Sequence, residues 1–381
     1  MSTVALIFPG QGSQSVGMGR ALAEASPAAA AVFAAADAAL GEPLSRVAWE
    51  GPAETLDLTV NAQPALLATS IAFLRALDER RGAEGLAPGP ATNLAPGPAT
   101  SLAPGPAAGL SPRLPPLAPA FYAGHSMGQY TAMVAAGVLT IEDGVRLVRE
   151  RGRQMQASGE GRQGAMAAII GLPDERLPDL VAAGAAHGTF GVANRNSPGQ
   201  VVVSGVREAV EAAADAAKSL GAKRAIVLPV SVAAHSPLMA GAATGMRVAL
   251  APVAFREPTA PLLANADARP LLTGEACRAE LVDHLTTGVD WVAAVEAMAA
   301  AGVTTFVEVG PGKVLAGLVR RIAPDASVLA TDDPSAPGGL AALDLRADGA
   351  GSTGDPSAPP GAGEPTRSPT GRSPTGQPPV A

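Results

Sequence analysis

Gly124-His125-Ser126-Met127-Gly128 is a G-x-S-x-G pentapeptide, and it narrows the fold further than any other stretch of the chain. The apolar Phe121-Tyr122-Ala123 before it reads as a strand, and the run from Tyr130 to Ala136 reads as a buried helix. A strand that turns straight into a helix holds the turn residue in a strained conformation with its side chain exposed. Glycines on both sides keep strand and helix from colliding. The helix start directs N–H groups and the positive end of its dipole at charge developing near the turn. Ser126 is therefore a candidate nucleophile.

Strands and helices alternate around this elbow. Val4 to Phe8 is a short apolar strand closed by Pro9-Gly10, and Ala62 to Leu77 carries a helical pattern. Asp143 to Met155 is an amphipathic helix with Thr140 as its N-cap. A β-α-β-α-β block follows, with strands at 165–170, 201–204 and 224–229 and helices at 175–182 and 207–220. Further helices lie after His235 and around Glu280, and a last strand, Thr305 to Val309, ends in Gly310-Pro311-Gly312. Such alternation predicts an α/β fold with a mostly parallel sheet and a site at the carboxyl ends of its strands. Aromatic residues make up only 3% of the chain against 47% hydrophobic, so the core is expected to be Ala, Val, Leu and Ile.

Two segments fall outside this pattern. Residues 85–119 carry an octad repeat opened by Leu86, Leu94, Leu102 and Leu110, too rich in proline for helix or sheet, and read as a low-complexity insert in a surface loop. Residues 347–381 are Pro, Gly, Ser and Thr, with Arg-Ser-Pro-Thr-Gly repeated at 367 and 372, and are expected to be disordered. The net charge of −7 leaves no basic surplus to neutralise phosphates, which excludes nucleic acid as a partner. Cys277 is the only cysteine, so neither an intrachain disulfide nor a cysteine metal site is expected. The N-terminus lacks a signal-peptide pattern, and no run reaches the roughly 18 apolar residues of a membrane span. A cytoplasmic protein without membrane contact is expected.

A serine hydroxyl needs a base, and the four histidines are 125, 187, 235 and 284. His125 is next to Ser126, but neighbours across a tight turn point apart. His187 sits in a turn-like Ala-His-Gly. His235 lies where an apolar run gives way to Ser236-Pro237 and a helix, a good place for a base. In the helix after Thr140, the row Gly144, Val148, Arg151, Met155 shares one face, and Arg151 interrupts its apolar stripe. A guanidinium there needs an anion: a bound carboxylate, or an internal acid in a buried salt bridge. The loop Phe8-Pro9-Gly10-Gln11-Gly12-Ser13-Gln14 brings backbone N–H groups within reach of an oxyanion. It has neither P-loop nor G-x-G-x-x-G spacing, so nucleotide binding is not expected.

With these motifs in hand, the chain resembles the malonyl-CoA:acyl-carrier-protein transacylases of fatty acid and polyketide synthesis. The likeness runs from about Val4 to Ala342 around the insert, through Phe8 to Gln14, Gln63-Pro64-Ala65-Leu66, Gly124 to Gly128, Arg149 to Gly152, Asn196 to Gln200, Val230 to His235 and Val309 to Lys313. It implies an α/β-hydrolase-like large part (1–84, 120–161 and 230–346) and a small ferredoxin-like subdomain (162–229). It also implies Ser126 as nucleophile, His235 as base, Arg151 as clamp for the malonyl carboxylate, and the N–H groups of Gln11 and Met127 as oxyanion hole. Gln63 and His125 fall in its substrate-binding motifs. The implied substrates are malonyl-CoA and a holo acyl carrier protein, with no metal or redox cofactor.

Two positions depart from the family. Gln129 stands where the family has Glu, removing a charge that the resemblance places near the site, with an expected effect on rate or acyl preference. His284 stands where the family has a Gln whose main-chain carbonyl orients the catalytic histidine. The alternatives are a polyketide-pathway acyltransferase using malonyl- or methylmalonyl-CoA, a serine thioesterase or esterase, and a non-catalytic scaffold.

Overall fold

A computed structural model describes residues 3–83, 118–159, 164–228, 230 and 232–331. The tail at 347–381 and all but the last two residues of the insert lie outside the described residues. In chain order the strands are β1 (Val4–Phe8), β2 (Phe121–Gly124), β3 (Gly164–Ile170), β4 (Phe190–Ser197), β5 (Gln200–Val206) and β6 (Arg224–Val227), then β7 (Leu262–Leu263), β8 (Pro270–Leu271), β9 (Val289–Asp290), β10 (Thr305–Glu308) and β11 (Ser327–Ala330).

The first sheet has the order β11-β10-β1-β2-β7-β8. Every pairing in it is parallel except the antiparallel edge β7–β8. Its central strands are apolar at successive positions because both faces are covered. In β1, Leu6 and Phe8 join one core with Leu66, Tyr130 and Val145, while Ala5 and Ile7 join a second with Trp291, Phe306 and Val319. Phe8 pairs with Gly124, and the His125 N–H donates to the Phe8 carbonyl at 3.0 Å. The loops after β1 and β2 therefore leave the sheet side by side.

The second sheet has the order β6-β3-β5-β4-β9, antiparallel except where β4 runs parallel to β9. The β-α-β-α-β reading of this block missed β4, which forms a hairpin with β5 through Pro198-Gly199. Two register irregularities, at Val192/Asn194 and Arg195/Ser197, break the alternation that would have marked it as a strand. With β4 in place the block is βαββαβ, the ferredoxin-like pattern. Ala165, Ala167 and Ile169 of β3 and Val201 and Val203 of β5 bury one face against Leu180, Val210 and Ala213 of two helices. The molecule is thus α/β, a parallel sheet covered on both faces together with a ferredoxin-like sheet.

Candidate active site

Ser126 stands between β2 and the helix Gly128–Ala135 with φ at 53°, the left-handed region. A Cβ on Gly124 would overlap the Gly128 carbonyl, and one on Gly128 would run into the Phe8 carbonyl. Only glycine at both positions lets strand and helix meet this closely. The Ser126 N–H donates to Asn265 Oδ1 at 2.8 Å.

His235 also has a left-handed backbone, with φ at 58°. Its Nε2 is 2.7 Å from Ser126 Oγ, and its Nδ1 is 2.7 Å from the His284 carbonyl. A carbonyl only accepts, so Nδ1 carries the proton and Nε2 turns its lone pair to the serine hydroxyl. Burial, and then the charge of Arg151, push the His235 imidazolium down to about 3. The ring is neutral at neutral pH, the state a general base requires. Ser236 fastens this turn by donating to the Ala233 carbonyl at 2.7 Å and accepting from the Leu238 N–H.

Arg151 projects from the helix Ile141–Gly159 and is 1% exposed. Its Nη1 donates to Gln63 Oε1 at 2.8 Å and its Nη2 to Ser126 Oγ at 3.1 Å. Nη2 also lies 3.4 Å from His284 Nε2. His284 Nδ1 donates to the Glu280 carbonyl at 3.0 Å, which leaves Nε2 bare to accept from the guanidinium. The Arg151 Nε is buried without a partner. Among the described residues no carboxylate pairs with Arg151. Burial lowers its pKa to about 10, so it stays charged at neutral pH.

A serine hydroxyl, a neutral imidazole and a cation without an acidic partner among the described residues thus meet at one point. Gln11 belongs to the loop after β1, where Thr59 Oγ1 donates to its Oε1 at 2.5 Å. Met127 opens the helix Gly128–Ala135. Their N–H groups sit on the two loops that leave the sheet together. The profile of the acyl transferase domain family matches residues 5–89 and 113–331. The Escherichia coli (strain K12) malonyl CoA-acyl carrier protein transacylase is 42% identical over 345 residues, covering 91% of this chain and all of that protein. The crystal structure of the acyl-carrier-protein-S-malonyltransferase from Bartonella henselae superposes with a TM-score of 0.77 at 39% identity, over 90% of this chain and 98% of that one. A malonyl-transacylase solved in complex with its type II PKS acyl-carrier protein gives 0.74 at 38%, over 87% and 96%. The chain belongs to the malonyl-CoA:acyl-carrier-protein transacylase family.

Against this transacylase frame the remaining residues fall into place. His125 and its neighbour Ser126 find different partners, as expected across a tight turn: His125 Nε2 lies 2.9 Å from Asn196 Oδ1, whereas Ser126 Oγ meets His235 and Arg151. The bond to Asn196 ties the elbow to β4 and the Asn-Ser-Pro-Gly-Gln motif. Gln129 follows the second glycine of the elbow. It is fully buried behind the elbow, donating from Nε2 to the Leu263 carbonyl at 2.9 Å and accepting the Gly124 N–H at 3.2 Å. An amide supplies both donor and acceptor there, so Gln129 fastens β2 to β7. His187 is exposed in a turn, apart from these residues.

Sequence reasoning missed Asn265, Asn196 as the partner of His125, and Glu280. Asn265 lies outside any helical stripe or recognisable spacing, and each of the three acts through a contact with a distant segment. Asn196 carried a signal in its place in the Asn-Ser-Pro-Gly-Gln motif, and Glu280 in sharing the buried face of its helix with Cys277, Leu281 and His284. Among the described residues no group of three His, Cys, Asp or Glu side chains converges to hold a metal ion. No described helix is long and apolar enough to cross a membrane.

Proposed function

We propose that the chain transfers a malonyl group from malonyl-CoA to the phosphopantetheine thiol of an acyl carrier protein through a malonyl ester on Ser126. The unpaired guanidinium of Arg151 carries this reading. Its Nε and Nη2 form one edge of the planar group; Nε has no partner and Nη2 touches Ser126 Oγ. Two parallel N–H donors beside the nucleophile match a carboxylate at the far end of a short acyl chain. A simple esterase or thioesterase has no use for such a cation.

His235 Nε2 takes the Ser126 proton as Oγ attacks the thioester carbonyl. The N–H groups of Gln11 and Met127 hold the oxyanion, each such donor contributing roughly 3 kcal/mol. His235 then returns the proton to the departing coenzyme A thiolate. In the second half the carrier thiol gives its proton to His235, attacks the ester, and releases Ser126. Passing an acyl group between thiols changes no oxidation state, so these steps need no redox cofactor, and the base and oxyanion donors named above supply the rest without a metal. The reading also places the chain in the cytoplasm, and assigns 162–229 as the small subdomain beside a large one built from 1–84, 120–161 and 230–346.

The test is intact mass after brief incubation with malonyl-CoA, comparing wild type with Ser126→Ala. A malonyl adduct absent from the variant and passed on to added holo carrier protein is the expected result. Free malonate without transfer would instead make the chain a hydrolase. A polyketide carrier protein is the second candidate acceptor, suggested by the likeness to the transacylase solved with such a partner. Competition between carrier proteins, and between malonyl- and methylmalonyl-CoA, separates the pathways.

A further inference from the structure

Asn265 stands outside the reacting groups yet grips the elbow on both sides of His125. It follows β7, the strand beside β2, and is 4% exposed. Its Oδ1 accepts the Ser126 N–H at 2.8 Å, and its Nδ2 donates to the Gly124 carbonyl at 2.9 Å. Its own backbone is held as firmly: the N–H donates to Glu280 Oε1 at 2.7 Å, and the carbonyl accepts the Asp290 N–H at 2.6 Å. A side-chain amide offers one acceptor and one donor in a plane, and here each meets its complement. The turn it grips is strained, since a non-glycine residue at positive φ costs on the order of 1–3 kcal/mol unless its surroundings hold it.

We propose that Asn265 is a positioning residue for acyl transfer, locking the elbow in the left-handed conformation that aims Ser126 Oγ at His235. It also commits the Ser126 N–H, so the oxyanion is left to the donors of Gln11 and Met127. Glu280 backs it from the helix Gly274–Thr287, with Oε1 on the Asn265 N–H and Oε2 3.5 Å from Arg269 Nη2. The same helix carries the His284 carbonyl that orients His235. Nucleophile and base are thus both referenced to one helix, which sets their separation. Burial raises the Glu280 carboxyl to about 7, consistent with an acid kept for its place in this brace rather than for exposed charge.

The inference rests on Ser126 being the nucleophile, so the experiment uses a probe that needs no acyl donor. Fluorophosphonate labelling of Ser126 is timed by intact mass in wild type, Asn265→Ala and Asn265→Asp across pH, alongside kcat and KM for malonyl-CoA. Asn265→Ala should slow both labelling and kcat on the order of 100-fold, the cost of misplacing a reacting group by about 1 Å, with KM nearly unchanged. Asn265→Asp gives a sharper reading and guards against a misfolded alanine variant. Its neutral carboxyl reproduces both bonds, whereas its carboxylate has no donor for the Gly124 carbonyl. Its labelling rate relative to wild type should fall as pH rises through that titration, a trend that lost stability alone does not produce. An alanine variant as reactive as wild type, or an aspartate ratio flat with pH, overturns the proposal. Wild type that does not label overturns the nucleophile assignment with it.

Discussion

A guanidinium at 1% exposure, with no acidic partner among the described residues, destabilises the folded chain until an anion arrives. Replacing Arg151 by methionine should therefore act in opposite directions on stability and activity. Stability should rise by about 1–4 kcal/mol, read as a higher midpoint in urea. The kcat/KM for malonyl transfer should fall on the order of 100- to 1,000-fold, the loss expected when one partner of a buried charge pair is removed. Acetyl transfer should fall much less, through the lost bond from Nη2 to Ser126 Oγ. Equal losses for the two acyl groups would show that Arg151 serves the nucleophile and not the carboxylate. Arg151 was legible in the sequence as a charge in an apolar stripe. That it pairs with Gln63 and Ser126 rather than with an internal acid was not, because periodicity reports a face and not what lies opposite it.

The element that presents Arg151 depends on a close helix crossing. The helix Ile141–Gly159 meets the helix Thr59–Ala83 at Gly152, where an added Cβ would lie 2.8 Å from Val60 Cα and 3.0 Å from the Thr59 carbonyl. Both neighbours are backbone and cannot swing aside. Gly152→Ala should push the helices apart, lowering stability by about 1–3 kcal/mol, a typical cost of overpacking. Arg151 would withdraw from Gln63 and Ser126 on the two sides of that crossing, so the ratio of malonyl to acetyl transfer should drop as well. A stability loss with that ratio unchanged would mean the crossing supports the fold without aligning the clamp. The starts of such elements were readable. Thr140 caps its helix by accepting the Asp143 N–H at 3.1 Å, as its position suggested. Strand β4 was not readable, since Asn194, Arg195 and Asn196 and two register shifts erase its period. It is held by pairing with β5 and β9 rather than by its own pattern.

At the scale of the molecule, burial of the site makes the fold sensitive to acid. His125, His235 and His284 all have pKa values below 6.5 in the folded chain, chiefly through burial. Unfolded, they return toward 6.5, so below that pH the unfolded chain takes up protons that the folded chain refuses. Glu280 opposes this, because its carboxyl, raised from 4.5 to about 7, holds a proton in the fold that the unfolded chain releases. Three imidazoles outweigh one carboxyl between pH 6.5 and 4.5. Stability should therefore fall on acidification through this window, because the unfolded imidazoles take up protons that the buried ones refuse. Urea midpoints measured across this window check the sign, and His284→Gln should flatten the slope by removing one of the three. A midpoint that holds steady would mean the imidazoles are not buried neutral.

What the chain determined by itself is local. The two elbow glycines, the apolar strands, the amphipathic helix and its interrupted stripe all follow from steric and periodic rules that act over a few residues. They were enough for the α/β class, and together with the ordered motifs for the family. Tertiary structure alone decided which distant groups meet. Ser126 and His235 are 109 residues apart, and Ser126 and Asn265 are 139 apart. The sheet order β10-β1-β2-β7 places the loops after these strands together at one end. No local period encodes that order. It is set by which packing buries the most apolar surface with every backbone group paired, a property of the whole chain.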